Sequence, residues 1–136
     1  TIVMYYSCNG HTKSVAEKKA RELGADIVEI KELKKRSVLS AYSKGCFAAL
    51  RQKSVKVLPF FVDYSNYGKI ILCAPVWASF PAPAFNSIVD ALPAAKEVEV
   101  YLVSGSGNSG SRAKVTAKIE KQGCMVTGYT DILESR

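Results

Sequence analysis

The chain has 136 residues, 48% of them hydrophobic and 23% charged, enough to bury a core as one domain over 1–136 without disulfides or metals. Nineteen Lys and Arg against 12 Asp and Glu leave a net charge of +7. That excess reads first as solvated surface and second as a match for an acidic partner, because the lysines of KSVAEKKAR and KELKKR spread over predicted helix faces without stacking aromatics.

For the same reason nucleic acid ranks a distant third, and no such partner is expected; no membrane insertion is expected either, since no apolar run approaches a membrane span and no secretory leader is visible. The chain opens on Thr1, which leaves room for residues before it. Cys8, Cys46, Cys73 and Cys124 show no CxxC spacing, and His11 is the single histidine, so no metal site is expected. A reducing, cytoplasmic setting fits this cysteine usage.

In chain order, Ile2 to Tyr6 reads as a buried strand, and SCNGHT (Ser7 to Thr12) is the loop after it. Val15, Ala16, Ala20 and Leu23 recur at helical spacing, with Gly24 as the stop. ADIVEI is a second strand, and SVLSAYSKGCFAALRQK a helix bent near Gly45. Ile70 to Ala74 is the most continuous apolar strand, followed by the loop PVWASFPAP and a helix entered at Pro83 and stopped before Pro93.

Val98 to Val103 is the fourth strand, SGSGNSG its loop, and Ala113 to Gln122 a helix pairing Val115 with Ile119. Gly123 then leads into a last strand, CMVTGY. Repeated strand–loop–helix–Gly–strand units predict an α/β fold with a mainly parallel, doubly wound five-stranded sheet. Continuous apolar runs belong at the centre and polar-interrupted ones at the edges, which gives the order 2-1-3-4-5.

Loops leaving the carboxyl ends of parallel strands emerge on one edge, so these three are expected side by side at the switch point. Helix geometry leaves the amides of the first loop unpaired and partly positive; Ser7, Asn9 and Thr12 add polar groups, and Gly10 allows close approach. Such a loop is a nest for a phosphate that needs no arginine. A helix cap at Thr12 with a turn at Gly10 accounts for the same letters.

Trp77, the only tryptophan, falls in a proline-bounded loop where it suits stacking on a flat heterocycle, or serves as a core or lid aromatic. Phe80 and Phe85 read as packing residues. Gly105, Gly107 and Gly110 spell GxGxxG, but too near the chain's end for a dinucleotide half. They read as backbone that approaches a ligand held by the other loops. Asp131, at a tolerable distance for that motif, lies beyond an edge strand.

With these residues in view the chain resembles the flavodoxin-like family, in particular its short-chain FMN-binding flavodoxins. Ser7-Cys8-Asn9-Gly10-His11-Thr12 matches the family's phosphate loop, with Asn9 in place of the usual threonine. YGKIILCAPVWASFPAPAFNSIVDAL is similar to a branch whose third-strand loop begins Pro-Val-Trp. The resemblance implies a three-layer sandwich and an FMN cofactor. It places Ser7, Asn9, Gly10, His11 and Thr12 around the phosphate. Pro75, Val76, Trp77, Ala78 and Ser79 line the isoalloxazine, with Trp77 against one face, and Ser104, Gly105, Ser106 and Gly107 reach its pyrimidine side.

The function so implied is an electron carrier that passes electrons to a redox partner protein, with no side chain in a catalytic role. The alternative on the same fold is an FMN-dependent reductase using NAD(P)H and a quinone or flavin, and a third reading is a module for another phosphorylated ligand. Two departures stand out. The chain is basic where many flavodoxins are acidic, and only TDILESR follows Tyr129 where the family closes with a helix. A partly bare, apolar sheet face is therefore expected, covered by further chain beyond Arg136 or by a second subunit in a homodimer.

Overall fold

The computed structural model describes residues 1–34 and 44–134. Among these residues six strands are present: β1 (Ile2–Tyr5), β2 (Asp26–Glu29), β3 (Lys69–Trp77), β4 (Phe80–Pro81), β5 (Glu97–Ser104) and β6 (Met125–Leu133). They form one sheet in the order β2-β1-β3-β5-β6, with β4 paired only to β3. Every pair along that path is parallel, and β4 is antiparallel. This is the predicted doubly wound order, with the two-residue β4 as an addition.

Among the described residues four α-helices flank the sheet: α1 (His11–Leu23), α2 (Cys46–Leu50), α3 (Pro83–Asp90) and α4 (Arg112–Lys121). The period of two along the strands explains the layers. Ile2, Met4, Ile70, Leu72, Val98 and Val100 turn to one face, where they meet Phe85 and Ile88 of α3 and Val115 and Ile119 of α4. Val3, Tyr5, Ile71 and Cys73 turn to the other, where Ala16 and Ala20 bring α1 close. Burial pushes the Cys73 thiol up to about 12, so it behaves as a small hydrophobe. Truncating a fully buried residue such as Ile71 to alanine should cost about 2–5 kcal/mol.

Gly24 ends α1 in the left-handed region at φ 60, and its neighbour Ala25 donates to the Ala20 carbonyl at 2.9 Å. Pro83 occupies the first turn of α3, where its missing N–H leaves no bond unmade.

Several expectations are corrected. Leu23, placed on the buried stripe of α1, is 51% exposed, while Thr12 at the start of that stripe is fully buried. The helix expected over 37–53 lies partly outside the described residues; within them only Cys46–Leu50 is α-helical. Beyond Leu50 the chain straightens and pairs with the stretch after β2, through Leu33 N–H to the Lys56 carbonyl and Leu58 N–H to the Lys31 carbonyl. Lys31 to Lys34 therefore do not lie on a helix face.

On the α1 side of β5 and β6, no helix among the described residues covers β6. That surface is more polar than expected. Glu99 pairs with Lys69 and accepts from the Tyr101 hydroxyl at 2.8 Å, and Lys19 Nζ stands 4.8 Å from the Tyr101 ring. Burial pushes the Glu99 carboxyl up, yet the bonds from Lys69 and Tyr101 prevail and hold it below its ordinary range. Thr130, the register partner of Tyr101, is exposed, and Ile132 beside it is half-buried.

Candidate functional site at the carboxyl edge of the sheet

The first loop turns into α1 at Gly10, whose φ of 93 no L side chain favours. That turn aims main-chain amides at one point. Ser7 Oγ accepts from the Gly10 amide at 3.0 Å and from the Lys13 amide at 3.2 Å. Asn9 Oδ1 accepts from the His11 amide at 3.3 Å. The first turn of α1 carries no acidic residue, so its partial positive charge is not offset there.

Thr12 was weighed as a helix cap, but the N-cap is Gly10 and Thr12 lies inside the first turn. Its side chain is fully buried, and its Oγ1 has no hydrogen-bond partner. A buried hydroxyl left so is costly unless something else meets it. His11 is half-buried at the head of the helix, and Cys8 and Asn9 are exposed.

The second loop is shorter than its sequence suggests, because β3 runs through Pro75 and Val76 to Trp77 before a tight turn. Trp77 therefore ends a strand, opposite Phe80 of β4. Ala78 and Ser79 form the two-residue turn with φ of 52 and 71. Positive φ at both centres is the type I′ requirement, and non-glycine residues there carry strain. Phe80 and Phe85 are buried packing residues, as expected.

The third loop folds on itself. Ser104 Oγ accepts from the Gly107 amide at 2.9 Å and the Asn108 amide at 3.2 Å, while Gly105 and Ser106 stay exposed. Gly107, at φ 74, sits against Leu133, and the Glu134 amide donates to the Ser104 carbonyl at 2.9 Å. Asp131 lies within β6 opposite Leu102, where its Oδ1 is buried without a partner.

Strand pairing brings these loops together. The Tyr6 amide donates to the Cys73 carbonyl at 3.1 Å, so Ser7 emerges beside β3, and Pro75 pairs with Val103 just before Ser104. Tyr6, unremarked in the sequence beyond its strand, joins the first two loops. Its ring meets Trp77 edge-on at 6.0 Å and 85°, and its hydroxyl donates to Glu32. Val55 and Val57 pack on the same cluster as Tyr6 and Trp77. Their alternation with polar neighbours was the one sequence signal for them. A cavity of about 390 Å³ opens on the β2 side of the first loop, lined by Ser7, Cys8, Lys31, Glu32, Leu33 and Leu58 among others. Among the described residues, no helix is long and apolar enough to cross a membrane.

A doubly wound sheet with an amide-lined loop at its switch point defines a flavodoxin-like α/β protein. No protein-family model and no curated protein matches the chain, whereas solved structures do. The chain is similar to a flavoprotein of Lactobacillus acidophilus, solved in complex with FMN, at 25% identity over 94% of this chain and 89% of that one, with a TM-score of 0.79. It shares its fold with a short-chain flavodoxin associated with a bacterial microcompartment, at 15% identity over 100% and 85% of the two chains and a TM-score of 0.54. Flavodoxin 1 of Bacillus cereus is similar in fold at 17% identity over 99% and 85%, with a TM-score of 0.54.

Proposed function

We propose that the chain binds FMN at this edge and serves as an electron carrier. The observation that carries the reading is the convergence of the Gly10 and Lys13 amides on a single oxygen, beside the fully buried, unpartnered Thr12 hydroxyl. A phosphate oxygen taking the position of Ser7 Oγ, once that side chain turns aside, would be met by those amides and by the helix dipole, with no cationic side chain required.

The residues present fit the cofactor. Ser7, Asn9, Gly10, His11 and Thr12 would hold the phosphate. Pro75 to Ser79 would flank the isoalloxazine, with Trp77 braced by Tyr6, and Ser104 to Gly107 would approach its polar edge. FMN, when bound, supplies one- and two-electron redox chemistry. The protein's part is to bind, orient and exclude water, and no side chain is assigned a proton-transfer role. A reducing, cytoplasmic location suits the four free thiols. A second copy seated on the α1 side of β5 and β6 would cover the face that α1 leaves open.

The test compares FMN with riboflavin, which lacks the phosphate. FMN should bind the apoprotein at least ~100-fold more tightly, the worth of two charge-assisted hydrogen bonds. Equal affinity would refute the cradle. Sustained NADPH oxidation by the FMN-loaded protein with a quinone would assign a reductase in place of a carrier.

A further inference from the structure

The excess charge of this chain is concentrated in one place. Residues 31–56 hold eight Lys and Arg against a single Glu, and the rest of the chain holds eleven of each sign. The whole net charge of +7 thus belongs to a stretch of 26 residues. Lys31, Lys34, Lys44, Arg51, Lys53 and Lys56 are all exposed.

Among its described residues, Gln52 to Lys56, continuing to Leu58, run along the rim described above. Gln52 Nε2 donates to the Lys114 carbonyl at the start of α4, at 3.4 Å. The Lys53 carbonyl accepts from Asn86 Nδ2 of α3 at 3.1 Å, and the Val55 amide donates to Ser87 Oγ at 2.9 Å. Val55 and Val57 then pack on the cluster of Tyr6, Ala82 and Ala84 that Trp77 also joins, and Leu58 N–H reaches the Lys31 carbonyl at 2.8 Å. The backbone is pinned from α4 across α3 to the end of β2 while its cations point outward. Apolar side chains stand among them: Leu33 is 52% and Leu58 42% exposed.

We infer that this strip, residues 31–34 together with 51–58, is the docking surface for an acidic one-electron carrier protein. Exposed apolar groups ringed by charge have the make-up of a transient protein interface, with an apolar centre and a polar rim. Clustered positive charge beside the rim where the flavin is proposed to sit would steer a negative partner to it and orient it on arrival. Among the described residues of the stretch, five of the six exposed cations are lysines, mobile point charges, and the guanidinium of Arg51 lies over the Phe47 ring at 4.1 Å. Nucleic acids and lipid phosphates are better matched by forked arginines free to bind in pairs. The inference rests on the electron-carrier reading, and docking itself breaks and forms no covalent bond.

The experiment titrates the full, FMN-loaded chain, isotope-labelled for NMR, with an acidic ferredoxin, with phosphatidylglycerol vesicles and with a single-stranded oligonucleotide. The ferredoxin should shift the amides of 31–34 and 51–58, and its affinity should fall at least tenfold between about 0.02 M and about 0.2 M ionic strength. Lys31→Glu/Lys53→Glu/Lys56→Glu should weaken it at least tenfold, the Gln triple less steeply, and Lys18→Glu/Lys121→Glu less than twofold. No ferredoxin binding, shifts centred elsewhere, or tighter binding to vesicles or oligonucleotide would overturn the inference. Because docking is read without electron transfer, loss of flavin would instead count against the carrier reading alone.

Discussion

Thr12 offers a substitution whose effect should change sign with ligand. Its side chain is fully buried and its hydroxyl has no partner, a state that costs about 1–3 kcal/mol. Thr12→Val keeps the branched shape and replaces the hydroxyl with a methyl, and helix propensity hardly changes. The apoprotein should gain about 1–2 kcal/mol, raising Tm by about 3–6 °C. FMN affinity should move the other way. A hydroxyl donating to a phosphate is worth about 1.5–3 kcal/mol, so Kd should rise about 10- to 100-fold. Urea melts of apoprotein and fluorescence titration with FMN read the two effects separately. A destabilised apoprotein with unchanged Kd would refute the reasoning, because the hydroxyl would then serve the fold and not the ligand.

Three other outcomes follow from local geometry. Ser79→Gly should stabilise the apoprotein by about 0.5–1 kcal/mol, since the left-handed conformation costs a side chain about 1–2 kcal/mol and glycine returns part of that as unfolded-state entropy; a loss in chemical denaturation would contradict the turn type. Gly123→Ala should destabilise by about 2 kcal/mol or more, because the new Cβ would lie 2.9 Å from Ala94 Cβ at a φ of 91; an unchanged melting midpoint would count against that packing. Glu99 has a folded pKa below its ordinary value of 4.5, so its contribution is complete above that value and disappears as pH falls through the lowered one. The urea midpoint of Glu99→Gln should therefore decline less than wild type below that point, and parallel acid limbs would show the ion pair to be idle.

The central strands were legible because burial on both faces leaves continuous apolar runs, as in Ile70 to Ala74, and the sheet order followed from them. The end of β3 was not. Pro75 reads as a strand breaker, yet it needs no N–H where it stands, and its carbonyl accepts from the Ala82 amide at 3.0 Å. The same proline rule hid β4, which contains Pro81. Leu23 was misplaced because helical period alone does not say where a helix leaves the sheet.

At the site, Gly10 and the loop around it were readable because left-handed turns and unpaired amides have few sequence solutions. The brace of Tyr6 on Trp77 was not readable, since it joins residues 71 positions apart through strand pairing. The cavity between the first loop and residues 31–33 depends on how Lys56 to Leu58 cross the chain, and no local pattern announces that.

A grip made of peptide N–H groups has an evolutionary corollary. Every amino acid except proline supplies one, so under the proposed reading a position that gives only its amide, such as Lys13, could change while the anchor persisted. Selection there acts on a bend in the chain. Likeness of this kind can persist as shape after the spelling has changed.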